Sequence, residues 1–91
     1  MTEESIHRFR LYIVDSSPAG KRAITNFQRI TGTLYQYPVE LEIIDILEKP
    51  AMAEADHIIA VPALIRLEPF PIIKIIGDLS NVAGLRAFLG I

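Results

Sequence analysis

Between Ala60 and Asn81 the chain reads AVPALIRLEPFPIIKIIGDLSN. This run limits the fold more than any other, because it packs three prolines, two apolar stretches of strand length and a helix start into twenty-two residues. Val61-Pro62 precedes the strand-like ALIRL, and Glu68-Pro69-Phe70-Pro71 interrupts the chain before IIKII, so the two stretches are placed to pair as a β-hairpin. Gly77-Asp78 ends the second stretch, and Ser80 opens a short amphipathic helix. At each of the X-Pro bonds before Pro62, Pro69 and Pro71 the cis and trans isomers differ by only about 0.5–1 kcal/mol.

The rest of the chain supplies the partners for that hairpin. Arg8 to Val14 alternates and then turns continuously apolar, the pattern of a strand buried on both faces. Ser17 and Pro18 read as the cap and first residue of a helix with Ala23, Ile24, Phe27 and Ile30 on one face, and Gly32 is placed to stop it. Thr33 to Pro38 is a connector. Val39 to Ile46 is a second strand, with Glu40 and Glu42 on its wetter face. Pro50 starts a short helix running from Ala51 to about Ile58, weakly capped because Lys49 offers no side-chain acceptor. The last helix, Ser80 to Leu89, carries an apolar stripe of Val82, Leu85, Phe88 and Leu89. A βαβ unit followed by ββα is an α/β plan, a thioredoxin-like βαβαββα sandwich, in which Val61-Pro62 is expected to supply the cis-proline before the third strand.

The 91 residues allow one domain, taken as 1–91, and no linker or second unit. A net charge of −2 without a dense basic block argues against nucleic acid. The absence of cysteine excludes disulfides, thiolate metal sites and thiol redox chemistry. His7 and His57 show no metal-ligand spacing and read as solvated end residues. The N-terminal MTEESIHR is polar, and no run reaches the ~18 apolar residues of a membrane span, so a cytoplasmic protein without membrane contact is expected.

Catalytic chemistry finds little to stand on. Redox members of the thioredoxin-like class carry their thiol just after the first strand, where this chain has Asp15-Ser16-Ser17-Pro18. A serine there can bond a bound thiolate, which makes a small-ligand or glutathione-binding domain centred on Ser16, Ser17 and Pro62 one alternative; a plain helix cap is favoured. Asp45, Asp56 and Asp78 each stand at an element end, where Asp caps or turns the chain. No phosphate-binding glycine loop, nucleophile elbow or metalloprotease pattern is present. No enzyme activity, cofactor or metal is expected. Tyr35, Tyr37 and Phe70 lie in a connector and a turn, placed either to cover the ends of the sandwich or to meet a partner.

Leu11-Tyr12-Ile13 with Pro18 and Arg22-Ala23, Ile44-Asp45-Ile46-Leu47 with Pro50, Ala53-Glu54 and Asp56 with Ile58, Ala60 with Pro62 and Leu64, and Pro69 and Pro71 before Ile75-Ile76-Gly77-Asp78-Leu79-Ser80 together give a pattern that resembles the KaiB family of circadian-clock proteins over essentially the whole chain. The related sensor domain of the clock histidine kinase SasA lacks the I-I-G-D-L-S block, and a sensor domain of that kind is a further alternative. The resemblance implies a non-catalytic protein that binds the ring-shaped ATPase KaiC, with KaiA, SasA and CikA homologues as further partners. It implies two folds of one sequence, a tetrameric ground state of order βαββααβ and a monomeric thioredoxin-like state that binds KaiC. On this resemblance Leu41, Glu42, Asp45, Lys49 and His57 face KaiC, and Arg22 and Lys74 face other clock proteins. Pro62, Pro69, Pro71, Gly77, Asp78 and Phe88 belong to the segment that changes fold. The chain departs from the family pattern in having Glu42 and His57 where lysines are usual, Phe88 where a small residue is usual, and no acidic tail before Ile91. A large apolar Phe88 on the last helix, with Leu85, favours the thioredoxin-like arrangement as the resting fold.

Overall fold

A computed structural model describes residues 6–91; most of the polar N-terminal segment singled out above lies in residues 1–5, outside that range. The elements are β1 (His7–Ile13), α1 (Pro18–Leu34), β2 (Val39–Asp45), α2 (Pro50–Ala55), β3 (Ala63–Glu68), β4 (Ile73–Ile76) and α3 (Val82–Leu89), in the order expected from the sequence. One sheet of order β2-β1-β3-β4 holds all four strands. β1 runs parallel to β2 and antiparallel to β3, and β3 and β4 form the antiparallel hairpin. This is the thioredoxin-like arrangement. The bonds preceding Pro62, Pro69 and Pro71 are all cis.

β1 is central and buried on both sides, as its apolar run requires. Phe9, Leu11 and Ile13 point to the side covered by α1 and α3, where Ala23, Phe27, Ile30, Leu64, Leu85 and Leu89 complete the larger core. Tyr12 points to the opposite side, onto a smaller core with Ile44, Ala63 and Ile65. Full burial of a side chain such as Phe27 or Leu85 contributes about 1.5–3 kcal/mol, so the larger core dominates stability.

Local chemistry sets the element ends. The Ser17 hydroxyl accepts the Gly20 N–H at 3.0 Å, with Pro18 at the first helical position. Gly20 is needed at that turn, because a Cβ there would lie 3.1 Å from the Ile13 Cβ. Gly32 does not stop α1, contrary to the sequence expectation; the helix continues to Leu34. One exposed glycine costs about 1 kcal/mol, too little to end a helix anchored by Phe27 and Ile30. The helix ends where Tyr35 turns to extended backbone and folds toward His7.

α3 begins two residues later than expected. The Asn81 side chain caps it by accepting the Gly84 N–H at 3.0 Å, while the Ser80 N–H is taken by Asp78 Oδ1. Leu85 and Leu89 are buried and Phe88 packs half-buried beside Phe9, but Val82 is 48% exposed and does not belong to the stripe. Leu79, just before the helix, fills that end of the core instead. α2 stops at Ala55, short of Ile58, and as expected Lys49 gives it no side-chain cap. Gly77 takes φ +119, which a side chain resists, and its N–H donates to the Pro62 carbonyl at 2.8 Å.

His7 is the clearest correction: it is 8% exposed rather than solvated. Its Nδ1 is hydrogen-bonded to the Tyr35 hydroxyl and its ring stacks on Tyr37 at 4.1 Å between centroids. The two tyrosines thus close over the start of β1, while Phe70 stays 79% exposed.

Candidate partner-binding surface

Alternation along β1 and β2 decides which side chains share a surface. In the parallel register Arg8 stands beside Glu40, Arg10 beside Glu42 and Tyr12 beside Ile44. These residues alternate with Phe9, Leu11 and Leu41, which belong to the other side of the sheet. The face opposite α1 and α3 therefore carries a ladder of charges. Arg8 pairs with Glu40 and with Glu68 at 3.2 Å, and Arg10 pairs with Glu42 at 2.9 Å and Asp56 at 2.9 Å. A groove of 220 Å³ runs over this ladder and is also lined by Leu67.

α2 covers only part of this face. Asp56, just past its last residue, accepts from Arg10 Nη1 and from the Tyr12 hydroxyl at 2.5 Å, and its backbone carbonyl accepts from Lys74 Nζ on β4. Burial works to raise the Asp56 pKa, but the hydrogen bonds from Tyr12 and Arg10 and the charges of Arg10 and Lys74 outweigh it and hold the carboxyl below its ordinary value. Burial, together with the adjacent carboxylate, pushes the Tyr12 phenol up to about 12.

The partner-facing residues singled out from the sequence fall into four places. Glu42, His57 and Lys74 gather around Asp56: Glu42 through Arg10, Lys74 by direct contact, and His57 as the next residue, exposed and at φ 56. Asp45 and Lys49 lie at the turn entering α2, where Asp45 Oδ1 takes the Leu47 N–H at 3.0 Å and its carbonyl takes the Lys49 N–H. Leu41 faces the other way, into a groove of 350 Å³ between α1 and β2 lined by Phe27, Thr31, Tyr37 and Val39. Arg22 is also apart, on α1, pairing with Asp78 at 2.8 Å while Asn26 Nδ2 donates to the Asp78 carbonyl. Bonds from Ser80 and Arg22 hold Asp78 down to about 2.

The three aspartates do not meet as an acid cluster. Asp45 and Asp78 make turns, as their positions suggested, whereas Asp56 spends its carboxylate on Arg10 and Tyr12. The Arg10–Tyr12–Asp56 node was missed as a unit. Its signal was the in-phase alternation of Arg8-Phe9-Arg10-Leu11-Tyr12 with Glu40-Leu41-Glu42-Ile43-Ile44, which puts opposite charges side by side once the strands are parallel. After β1, the Ser17 hydroxyl is already occupied by the helix cap. Among the described residues no group of His, Cys, Asp and Glu is placed to hold a metal ion, and no helix is long and apolar enough to cross a membrane.

Comparison with known proteins gives consistent results. The KaiB domain family model matches residues 10–91. The circadian clock oscillator protein KaiB of Prochlorococcus marinus is 36% identical over 81 residues, spanning 89% of this chain and 69% of that protein. That of Synechococcus elongatus is 35% identical over 81 residues, spanning 89% and 79%. Among solved structures, the N-terminal domain of Synechococcus elongatus SasA superposes with a TM-score of 0.79 at 19% identity, covering 99% of this chain and 89% of that one. Mitochondrial thioredoxin 3 of Saccharomyces cerevisiae gives 0.73 at 18% identity, covering 92% and 76%. Likeness at such low identity shows the fold alone.

Proposed function

The chain belongs to the KaiB family, and on that premise we propose that it is a non-catalytic clock-type regulator, a single domain over 1–91 that binds a KaiC ATPase ring in its thioredoxin-like state. The observation that carries this reading is a family match over residues 10–91 in a chain folded in the thioredoxin-like arrangement. Glu42, Asp45, Lys49 and His57 form the KaiC-facing surface along β2 and α2, and Leu41 contributes from the edge of β2. Arg22 and Lys74 serve partners of the KaiA, SasA or CikA kind. Glu42 and His57, in place of lysines, tune the surface to a KaiC with a more basic docking site. Because the chain rests in the thioredoxin-like fold, loading onto the ring does not wait on refolding from a tetrameric alternative.

The test is to mix the purified chain with purified KaiC rings and with rings preincubated with ATP, and to read complex formation by native mass spectrometry. Saturable loading of the ring, changed by Glu42→Lys and His57→Lys, is the expected result. Rings that stay unloaded in every nucleotide state would overturn the reading.

A further inference from the structure

We propose that α2 is a flap, latched to the sheet by Asp56, that opens as a unit while the rest of the fold stays closed. The inference rests on the geometry of the fold and not on the proposed partner. α2 has six residues, none of them buried, and no side-chain cap at its start. It is far below the ~12–15 residues at which an isolated helix becomes even marginally stable, so its contacts with the sheet must hold it.

Those contacts are few and of two kinds. Met52, Ala53 and Ile58 rest on the smaller core of Tyr12, Ile44, Ala63 and Ile65. Most of the polar contacts converge on Asp56, whose carboxylate takes Arg10 at 2.9 Å and the Tyr12 hydroxyl at 2.5 Å from β1, and whose carbonyl takes Lys74 from β4; the Tyr12 hydroxyl also reaches the Met52 carbonyl at 3.0 Å. α1 and α3, by contrast, insert Ala23, Phe27, Ile30, Leu85 and Leu89 into the larger core.

The flanking segments have little cover, and the leading one is held by the Asp45 turn, through bonds to the Leu47, Glu48 and Lys49 amides. Leu47 before α2 is 73% exposed and Ile59 after it is 94% exposed, and His57 at the trailing end adopts φ 56, a conformation unusual for a side chain larger than glycine. Opening uncovers the floor of Tyr12, Ala63 and Ile65. That floor adjoins Ile76 on β4, which pairs with Ala63 and is already 53% exposed. The open state thus presents a continuous apolar surface where the closed state presents charges.

Native-state hydrogen exchange tests this. The reporters are the amides of Asp56, His57 and Ile58, which bond to the carbonyls of Met52, Glu54 and Ala53. In the unmodified chain they are expected to exchange at least about tenfold faster than the β1 amides and with little dependence on dilute urea, the mark of a local opening. Asp56→Asn and Lys74→Met should each speed them roughly a further tenfold, as for loss of one charge-assisted hydrogen bond, without changing β1 or α1. Arg8→Gln, which cuts ion pairs on the same face that do not reach α2, should leave the reporters unchanged. Should Asp56→Asn unfold the chain, Tyr12→Phe, which removes the hydroxyl that bonds both Asp56 and the Met52 carbonyl, is judged by the same criterion. Reporters that exchange at the rate and urea dependence of β1, or variants that speed all elements alike, would overturn the proposal.

Discussion

Phe88→Gly removes the half-buried aromatic that rests α3 against Phe9, with ring centroids 6.5 Å apart. Full removal of a buried phenylalanine costs about 3–5 kcal/mol, and half-burial reduces that to roughly 1.5–2.5 kcal/mol. Glycine inside a helix adds up to about 1 kcal/mol. The expected loss for the thioredoxin-like fold is therefore about 1.5–3.5 kcal/mol, a shift of roughly tenfold to a few hundredfold against any competing fold. Leu85 and Leu89 remain buried, so α3 should weaken rather than vanish. Urea unfolding followed by far-UV circular dichroism reads the loss, and backbone NMR with sedimentation reads any second, larger species. A loss below about 1 kcal/mol with a single unchanged set of resonances would refute the reasoning, because Phe88 would then contribute neither to stability nor to the choice of fold.

Other outcomes follow from the same structure. Burial, with the nearby Arg66 charge, lowers the His7 pKa below 6.5, so the fold favours the neutral ring; that contribution is complete above pH 6.5 and is lost as pH falls from there toward the folded value. The thermal midpoint should accordingly fall between pH 7.5 and pH 5, and His7→Phe should flatten that part of the dependence; equal slopes in both proteins would contradict it. Asp78, held down to about 2, keeps its contribution throughout the neutral range and loses it only as pH falls from 3.8 toward 2. Its carboxyl carbon shift in NMR should show that low midpoint, and Arg22→Gln should raise it. Gly20→Ala gains helix propensity but puts a Cβ 2.9 Å from Ser17 Oγ and 3.1 Å from Ile13 Cβ, so a net loss of about 1–3 kcal/mol is expected in urea unfolding; a gain would show that α1 can move off β1 freely.

Much of the fold was legible because two periodicities are clean. The apolar run of β1 required burial on both faces, and the paired runs of β3 and β4 around Glu68-Pro69-Phe70-Pro71 left a hairpin as the economical solution. What escaped were decisions made by tertiary contact. Gly32 reads as a stop only if nothing beyond it holds the helix. His7 reads as solvated only if Tyr35 and Tyr37 are taken as loop residues rather than its cover. Asn81 and Ser80 are equivalent caps in sequence; in the fold Ser80 belongs to the Asp78 turn and the Asn81 side chain takes the Gly84 N–H. The site was legible by position but not by grouping. Leu41 and Glu42 are neighbours in the chain yet lie on opposite sides of the sheet, and Asp56 becomes central only when Arg10, Tyr12 and Lys74 are brought to it from two other strands.

The central claim, that the resting thioredoxin-like chain offers its β2–α2 surface to a KaiC ring, is tested most directly by adding purified KaiC to the isotope-labelled chain and following its backbone amides. Glu42, Asp45, Lys49 and His57 should lose intensity first and without a slow phase, while the α1 amides from Ala19 to Ala23 keep their shifts until the whole complex broadens. No change at β2 and α2, with glutathione instead shifting Ser16 to Ala19 and Val61 to Ala63, would contradict the account and place function at the thioredoxin-like thiol position.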